Sequence, residues 1–270
     1  NKLTKTAPGK WDGKILVPFC VESVLSGVQK TIRPNQLLWY RRTFDVPAGW
    51  SGQRIMLNFE AVDWHARVWV NGQQVGDHKG GYDPFRLDVT DALAAGKDGK
   101  HEVVLCVWDP TNMGDQCVGK QALPELRKGF RYTPTTGIWQ TVWMEPVAET
   151  HIDSLGITPD VDAQEVQVTV KAIGTWRKPP TAVVVVREGD QEVSSGRGSV
   201  GTPITIKVPK PKLWSPDSPH LYDVTVRIGT DAVESYFGMR KISMGKDDAG
   251  FTRILLNNKP IFQIGPLDQG

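Results

Sequence analysis

The chain has 270 residues, 39% of them hydrophobic, with 32 basic and 30 acidic side chains and a net charge of +2. That balance leaves no electrostatic footprint for nucleic acid or an anionic membrane, and no apolar run approaches the ~20 residues of a membrane span. The unusual counts are 10 Trp, 27 Gly and 19 Pro, which suit a turn-rich all-β chain with large cores or aromatic faces that stack on sugar rings. The length predicts about two domains. Cys20, Cys106 and Cys117 match no zinc or redox spacing and read as free thiols. His65, His78, His101, His151 and His220 are scattered without ligand spacing, so neither a metal nor a cofactor is expected. Asn1 is not a natural start, so an upstream segment is expected. The compartment is left undecided, with a periplasmic or secreted bacterial location favoured.

Residues 1–36 read as irregular, apart from a short strand at Lys14-Ile15-Leu16-Val17 stopped by Pro18 and followed by a long loop through Glu22-Ser23. Trp39 to Val46 is the first strong strand. Ile55, Leu57 and Phe59 then alternate with Met56, Asn58 and Glu60, the period of a sheet with one buried face. Asn71-Gly72 marks a hairpin, because a type I′ turn needs positive φ at both central residues. Tyr82-Asp83-Pro84-Phe85 reads as a β-turn. The one helix-like piece, Asp88 to Gly96, is a turn or two with Thr90 as its cap and Gly96 as its end. His101 to Trp108 is a further strand, and Gly137 to Pro146 closes the first domain after a loop from Asp109 to Pro134. Trp39, Trp69, Trp139 and Trp143 lie in strands and are expected in the core. From about Thr150, strict alternation at Val166, Val168, Val170, at Ile204, Ile206, Val208 and at Tyr222, Val224, Val226, Ile228 predicts an immunoglobulin-like sandwich without a disulfide framework. Ile254 to Ile264 reads as a hairpin turning at Asn257-Asn258.

The order of these signatures resembles glycoside hydrolase family 2. Trp39-Tyr40-Arg41-Arg42-Thr43-Phe44, Arg67-Val68-Trp69-Val70-Asn71-Gly72, Phe85 to Leu93 and Gly137-Ile138-Trp139-Gln140-Thr141-Val142 look like its sugar-binding N-terminal domain. Leu213-Trp214-Ser215-Pro216 and Phe237-Gly238-Met239-Arg240 look like its immunoglobulin-like domain, and Leu255 to Phe262 like the start of its (β/α)8 barrel. The resemblance implies an all-β chain: a galactose-binding-like jelly roll over 1–148, an immunoglobulin-like sandwich over 149–241, and the first hairpin of a truncated barrel over 242–270. It also implies a parent enzyme among β-galactosidases, β-glucuronidases and β-mannosidases. Retaining glycosidases need two carboxylates ~5–5.5 Å apart, which in this family lie on barrel strands beyond residue 270. The expected function is therefore the inactive N-terminal part of a retaining exo-β-glycosidase, shaping the sugar pocket and bracing the barrel. The substrate would be a β-linked oligosaccharide or glycoside, and a homo-oligomer fits the same picture. A free-standing carbohydrate-binding protein and a structural or adhesion tandem of sandwiches are the alternatives.

Family members send first-domain loops to the barrel mouth. The substrate contacts expected on that basis are Glu22 and Ser23 in the first loop, Asp63, Trp64 and His65 before the hairpin, and Arg131 and Tyr132 before the closing strand. Asp268, after the first barrel strand, completes the set. Carboxylates and guanidinium groups bind vicinal hydroxyls, and Trp and Tyr stack on C–H faces. Asp63 has a competing role as a turn-former or as partner of Arg67, and Trp64 as core.

Overall fold

A computed structural model describes residue 3 and residues 7–96 and 99–267. The chain divides into two compact units, one ending at Pro146 and one running Val147–Pro266. The strands of the first unit are β1 (Leu38–Asp45), β2 (Arg54–Phe59), β3 (Val62–Asp63), β4 (His65–Val70), β5 (Gln73–Lys79), β6 (Phe85–Asp88), β7 (Lys100–Trp108), β8 (Gly137–Ile138) and β9 (Val142–Val147), with a single helical turn α1 (Thr90–Leu93) before β7. They form a jelly-roll sandwich: a four-stranded sheet β1-β7-β4-β5, a three-stranded sheet β6-β2-β9 and a small pair β3-β8.

Alternation decides which side chains fill the sandwich. Tyr40, Val68, Val70, Leu105 and Val107 point inward from the four-stranded sheet against Ile55, Leu57 and Phe59 of β2. The opposite face of that sheet is covered as well. Trp69, Val104 and Cys106 are buried there under Leu3, with Ala7, Trp11 and Trp39 packed against them. Trp39 and Trp69 stack at 5.7 Å, and the Arg41 guanidinium lies 4.8 Å from the centre of the Trp11 ring. Much of the tryptophan and arginine density thus serves a second hydrophobic layer. Trp143 departs from expectation: it is 40% exposed, on the solvent side of β9.

Two other local expectations are corrected. Lys14 to Val17 forms no strand, because the Leu16 N–H bonds to the Ser26 carbonyl of its own loop rather than to a sheet. Thr90 is the first helical residue and not the cap. Asp88 Oδ1 accepts from the Thr90 N–H and hydroxyl, and Thr90 Oγ1 accepts from the Ile55 N–H at 2.8 Å. The helix stops at Leu93, before Gly96.

The hairpin at Asn71-Gly72 has positive φ at both residues, 49° and 80°. Asn71 also uses its side chain: Nδ2 donates to the Ala92 carbonyl at 2.9 Å and Oδ1 accepts from the Glu102 N–H at 3.0 Å. Asn71→Ala loses both bonds and tolerates the left-handed backbone poorly, so it should cost about 2 kcal/mol. Asn71→Gly, which restores only the backbone freedom, should fall between the two in denaturant titration.

The second unit is an immunoglobulin-like sandwich of seven strands: β10 (His151–Asp160), β11 (Glu165–Ile173), β12 (Thr181–Glu188), β13 (Gln191–Ser199), β14 (Ile204–Lys207), β15 (Tyr222–Ile228) and β16 (Asp231–Phe237). Its sheets run β10-β11-β14 and β13-β12-β15-β16. Val166, Val168, Val170, Ile204 and Ile206 from one sheet meet Val184, Val186, Val224 and Val226 from the other, all buried. A third, small sheet follows, β17 (Ile242–Lys246), β18 (Thr252–Leu256) and β19 (Lys259–Pro260). Its turn at Asn257-Asn258 has φ of 51° and 66° and is tied back through Asn257, whose Nδ2 donates to the Trp214 carbonyl. No closed barrel forms among the described residues.

Candidate functional site

At one place in the first unit, three other segments are stitched around Asp63. Pairing of β3 with β8 sets Asp63 opposite Gly137. The Gly80 N–H donates to the Trp64 carbonyl, which brings Gly81 directly over the Asp63 carboxyl. A Cβ on Gly81 would lie 2.8 Å from Asp63 Cγ, so only glycine fits there. The Trp139 indole N–H donates to the Gly81 carbonyl at 2.7 Å and locks the closing segment onto the same loop. From the long loop between β7 and β8, Gln121 supplies the last stitch. Its Oε1 accepts from the Thr135 N–H at 2.6 Å, which leaves Nε2 to donate to Asp63 Oδ2 at 2.9 Å.

These contacts frame a recess of about 230 Å³ lined by Asp63, Gln121, Tyr82, Tyr132 and Trp139, with Gly119, Thr133 and Thr135. Tyr82 stands edge-on to Trp139 at 5.8 Å, and its hydroxyl occupies the space a side chain on Gly119 would need. Tyr132 is placed by reciprocal backbone bonds with Lys120 and Ala122. A larger groove of about 520 Å³ shares Thr133 and Thr135 and is bounded by Cys20, Glu22, Ser23, Gln29 and Arg127.

Three buried carboxylates lie in this region: Glu22, Asp63 and Asp109. Asp109 accepts from Thr111 N and Thr136 Oγ1, and Glu22 Oε2 accepts from Thr136 N. Among the described residues, no Lys or Arg pairs with any of the three. Burial therefore pushes all three carboxyls above the usual range; Asp109 raises Glu22 and Asp63 further, and Glu22 adds to the rise at Asp63. For Asp63 the combined effect of burial and the nearby Asp109 and Glu22 is a pKa of about 7. Asp109 is only 1% exposed, and Glu22 Oε1 is sealed without a hydrogen-bond partner. Through Thr136, and for Asp109 also Thr111, they hold loops together. Asp63 is different. Its Oδ1 carries no hydrogen bond within the described chain, is not sealed, and borders the recess.

The sequence candidates separate accordingly. Asp63 and Tyr132 share the recess, while Glu22 and Ser23 border the neighbouring groove. Ser23 caps a short helical turn, its Oγ accepting from the Leu25 N–H. Trp64 is half-buried beside Asp63. His65 is built into the sheet, its Nε2 bonded to Asp77 Oδ1 at 2.7 Å. Arg67 pairs with Asp77 rather than with Asp63. Together, hydrogen bonds from His65 and Arg67 outweigh the cost of burial and hold the Asp77 carboxyl below its usual range. Arg131 is exposed, its guanidinium 5.9 Å from the Phe130 ring centre. Asp268 lies outside the described residues. Gln121, Gly81 and Trp139 were not singled out as site residues. The Gly80-Gly81 pair ahead of Tyr82 was the one local signal of a close approach. No group of three or more His, Cys, Asp or Glu among the described residues is arranged to hold a metal, and no helix among them is long and apolar enough to cross a membrane.

Comparison with known proteins now decides the family. Residues 15–144 match the model described as "Glycosyl hydrolases family 2, sugar binding domain", and residues 150–240 match a second model, "Glycosyl hydrolases family 2". The chain belongs to glycosyl hydrolase family 2. Among its relatives, a β-galactosidase of Thermoanaerobacter pseudethanolicus is 30% identical over 240 residues, covering 83% of this chain and 30% of that protein. A β-glucuronidase of Paenibacillus borealis is 28% identical over 208 residues, covering 71% of this chain and 33% of that protein. Among solved structures, a β-glucuronidase from an uncultured Clostridium species superposes with a TM-score of 0.70 at 26% identity, over 91% of this chain and 41% of the other. The chain thus spans about a third of the length of the curated family 2 relatives it matches.

Proposed function

We propose that this chain is the non-catalytic N-terminal part of a retaining exo-β-glycosidase, and that its first unit contributes side chains to the sugar pocket. The observation that carries this reading is the recess at Asp63. A carboxylate with one free oxygen, an oriented amide and three aromatic rings is the equipment for binding ring hydroxyls and C–H faces. It sits in the unit whose family model carries a sugar-binding description. On this reading Asp63, Trp64 and Tyr132 are substrate contacts, with Glu22, Ser23 and Arg131 as supporting groups around them, while His65 is committed to Asp77 within the sheet. The two catalytic carboxylates belong to sequence downstream of this stretch. The sealed state of Glu22 and Asp109 supports the lack of catalysis within the chain.

The test is hydrolysis of a panel of nitrophenyl β-glycosides. The 270-residue chain should release no nitrophenol above background, whereas the protein extended through its downstream sequence should turn over at least one member of the panel. Hydrolysis by the chain alone contradicts the reading, and so does an extended protein inert on every β-glycoside.

A further inference from the structure

The long loop between β7 and β8 sends out a tongue, residues 124–133, in which every residue is exposed. Its base is tied down. The Ala122 N–H donates to the Tyr132 carbonyl at 3.1 Å, and the Tyr132 N–H to the Lys120 carbonyl at 3.0 Å. The Arg127 guanidinium donates to Thr133 Oγ1 at 2.7 Å, and Arg33 pairs with Glu125. At the tip the Arg131 N–H donates to the Lys128 carbonyl at 3.3 Å, around Gly129 with φ of +59°. This tight turn sets Lys128 and Arg131 at its two ends, with Phe130 between them.

The tongue carries positive charge that the described chain does not answer. Residues 127–131 hold three cations, Arg127, Lys128 and Arg131, and no acid. Glu125 is the one acid of the tongue, and it is committed to Arg33. Among the described residues, no carboxylate pairs with Lys128 or Arg131. Beside these cations Phe130 is 69% exposed and Tyr132 63%. A partner that combines negative charge with an apolar face would use both features. A guanidinium takes carboxylate or sulfate oxygens bidentately, an ammonium takes them as a point charge, and aromatic rings cover the C–H faces of a sugar. The tongue also borders both hollows, Tyr132 and Thr133 lining the recess and Arg127 and Thr133 the larger groove. Over the whole chain the net charge is only +2, so the attraction is local to this patch, whereas nucleic acid calls for a wider basic face.

We propose that residues 124–133 form a docking surface for an acidic polysaccharide, with Lys128 and Arg131 taking its carboxylate or sulfate groups and Phe130 and Tyr132 its C–H faces. The proposal rests on the glycosidase reading above and extends it: the tongue holds the polymer outside the sugar pocket.

The test is affinity electrophoresis of the 270-residue chain in native gels containing polygalacturonate, dextran sulfate or neutral dextran, with polymer-free gels as the reference for each variant. At least one acidic polymer should retard the chain, and dextran should not; the polymer that does so assigns carboxylate or sulfate as the group recognised. Lys128→Gln with Arg131→Gln leaves the bond from Arg127 to Thr133 in place and should weaken binding roughly tenfold. Lys171→Gln with Lys178→Gln removes the same charge from exposed positions of the second unit and should change binding by less than about twofold, since distant exposed charges are screened. Phe130→Ala, which alters no charge, should weaken it by about threefold. Equal retardation by dextran, no retardation by either acidic polymer, or equal losses from the two double variants overturns the proposal. So does a Phe130→Ala chain that binds as the parent does, or a tighter hold on single-stranded DNA than on either polysaccharide. An extended protein inert on every β-glycoside removes the glycosidase reading and leaves the retardation standing, whereas an active extended protein whose 270-residue chain is not retarded removes this proposal alone.

Discussion

Asp63→Asn should stabilise the chain by several kcal/mol at about pH 8 and give no gain at about pH 4. Burial, with Asp109 and Glu22 nearby, raises the folded-state pKa of Asp63 from 3.8 to about 7. A carboxyl raised in this way binds its proton more tightly when folded. Its favourable contribution is complete below the unfolded value and is lost as pH climbs through the folded value. The difference amounts to about 4 kcal/mol by pH 8, at ~1.36 kcal/mol per unit. Asparagine keeps an oxygen for Gln121 Nε2 and has no charge to bury. Urea titrations of both proteins across pH should show stabilities that coincide near pH 4, separate between about pH 4 and about pH 7 and stay apart above that. Parallel curves would mean that Asp63 is not a buried ionising group. Glu22 and Asp109 are shifted in the same direction, so the parent should itself weaken as pH rises from about 4 to about 8.

Gly137→Ala should cost more than about 3 kcal/mol. Gly137 has φ of +86°, and a Cβ there would lie 2.1 Å from the Tyr40 hydroxyl oxygen and 2.8 Å from Leu38 Cδ2. Tyr40 is a buried core residue whose hydroxyl accepts the Ile138 N–H at 3.2 Å, so it cannot swing aside. Left-handed strain of ~1–3 kcal/mol adds to overpacking of similar size. Tyr40→Phe removes the nearest clashing atom, so the double variant should be less destabilised than the sum of the two single changes. Additive losses in chemical denaturation would count against this geometry. Because Gly137 pairs with Asp63, the same substitution should also abolish sugar binding at the recess.

How much of this was legible in advance depends on where the information sits in the chain. Strands whose one face is buried announce themselves: Val166, Val168 and Val170 alternate because burial alternates, whereas in β2 Met56 and Asn58 are buried along with Ile55, Leu57 and Phe59, so both of its faces are covered. The four-stranded sheet is harder to read, because both its faces are covered. Val68 and Trp69 are both buried, on opposite sides, and the layer over Trp69 comes from a distant N-terminal segment around Leu3 and Trp11. The site was half legible. Asp63 was reached as an acid in the turn-rich stretch ahead of the hairpin, and Tyr132 as an aromatic before the closing strand. Gln121 did not, because its bond to Asp63 spans 58 residues of sequence and depends on a loop with no periodicity. His65 was grouped with Asp63 by adjacency, but successive strand residues face opposite ways, and it is taken up by Asp77. Trp143 has the composition of a core strand and lies on an outward position.

The central claim, that this chain binds sugar while the bond-breaking carboxylates lie downstream of it, can be tested with a trapped intermediate. A retaining glycosidase passes through a covalent glycosyl-enzyme, and a 2-deoxy-2-fluoro glycoside inactivator halts the reaction there. After inactivation of the extended protein, peptide mapping by mass spectrometry is expected to find the sugar on a carboxylate beyond residue 270, with residues 1–270 unlabelled. A sugar adduct on Glu22, Asp63, Asp109 or any other side chain within this chain would contradict the assignment.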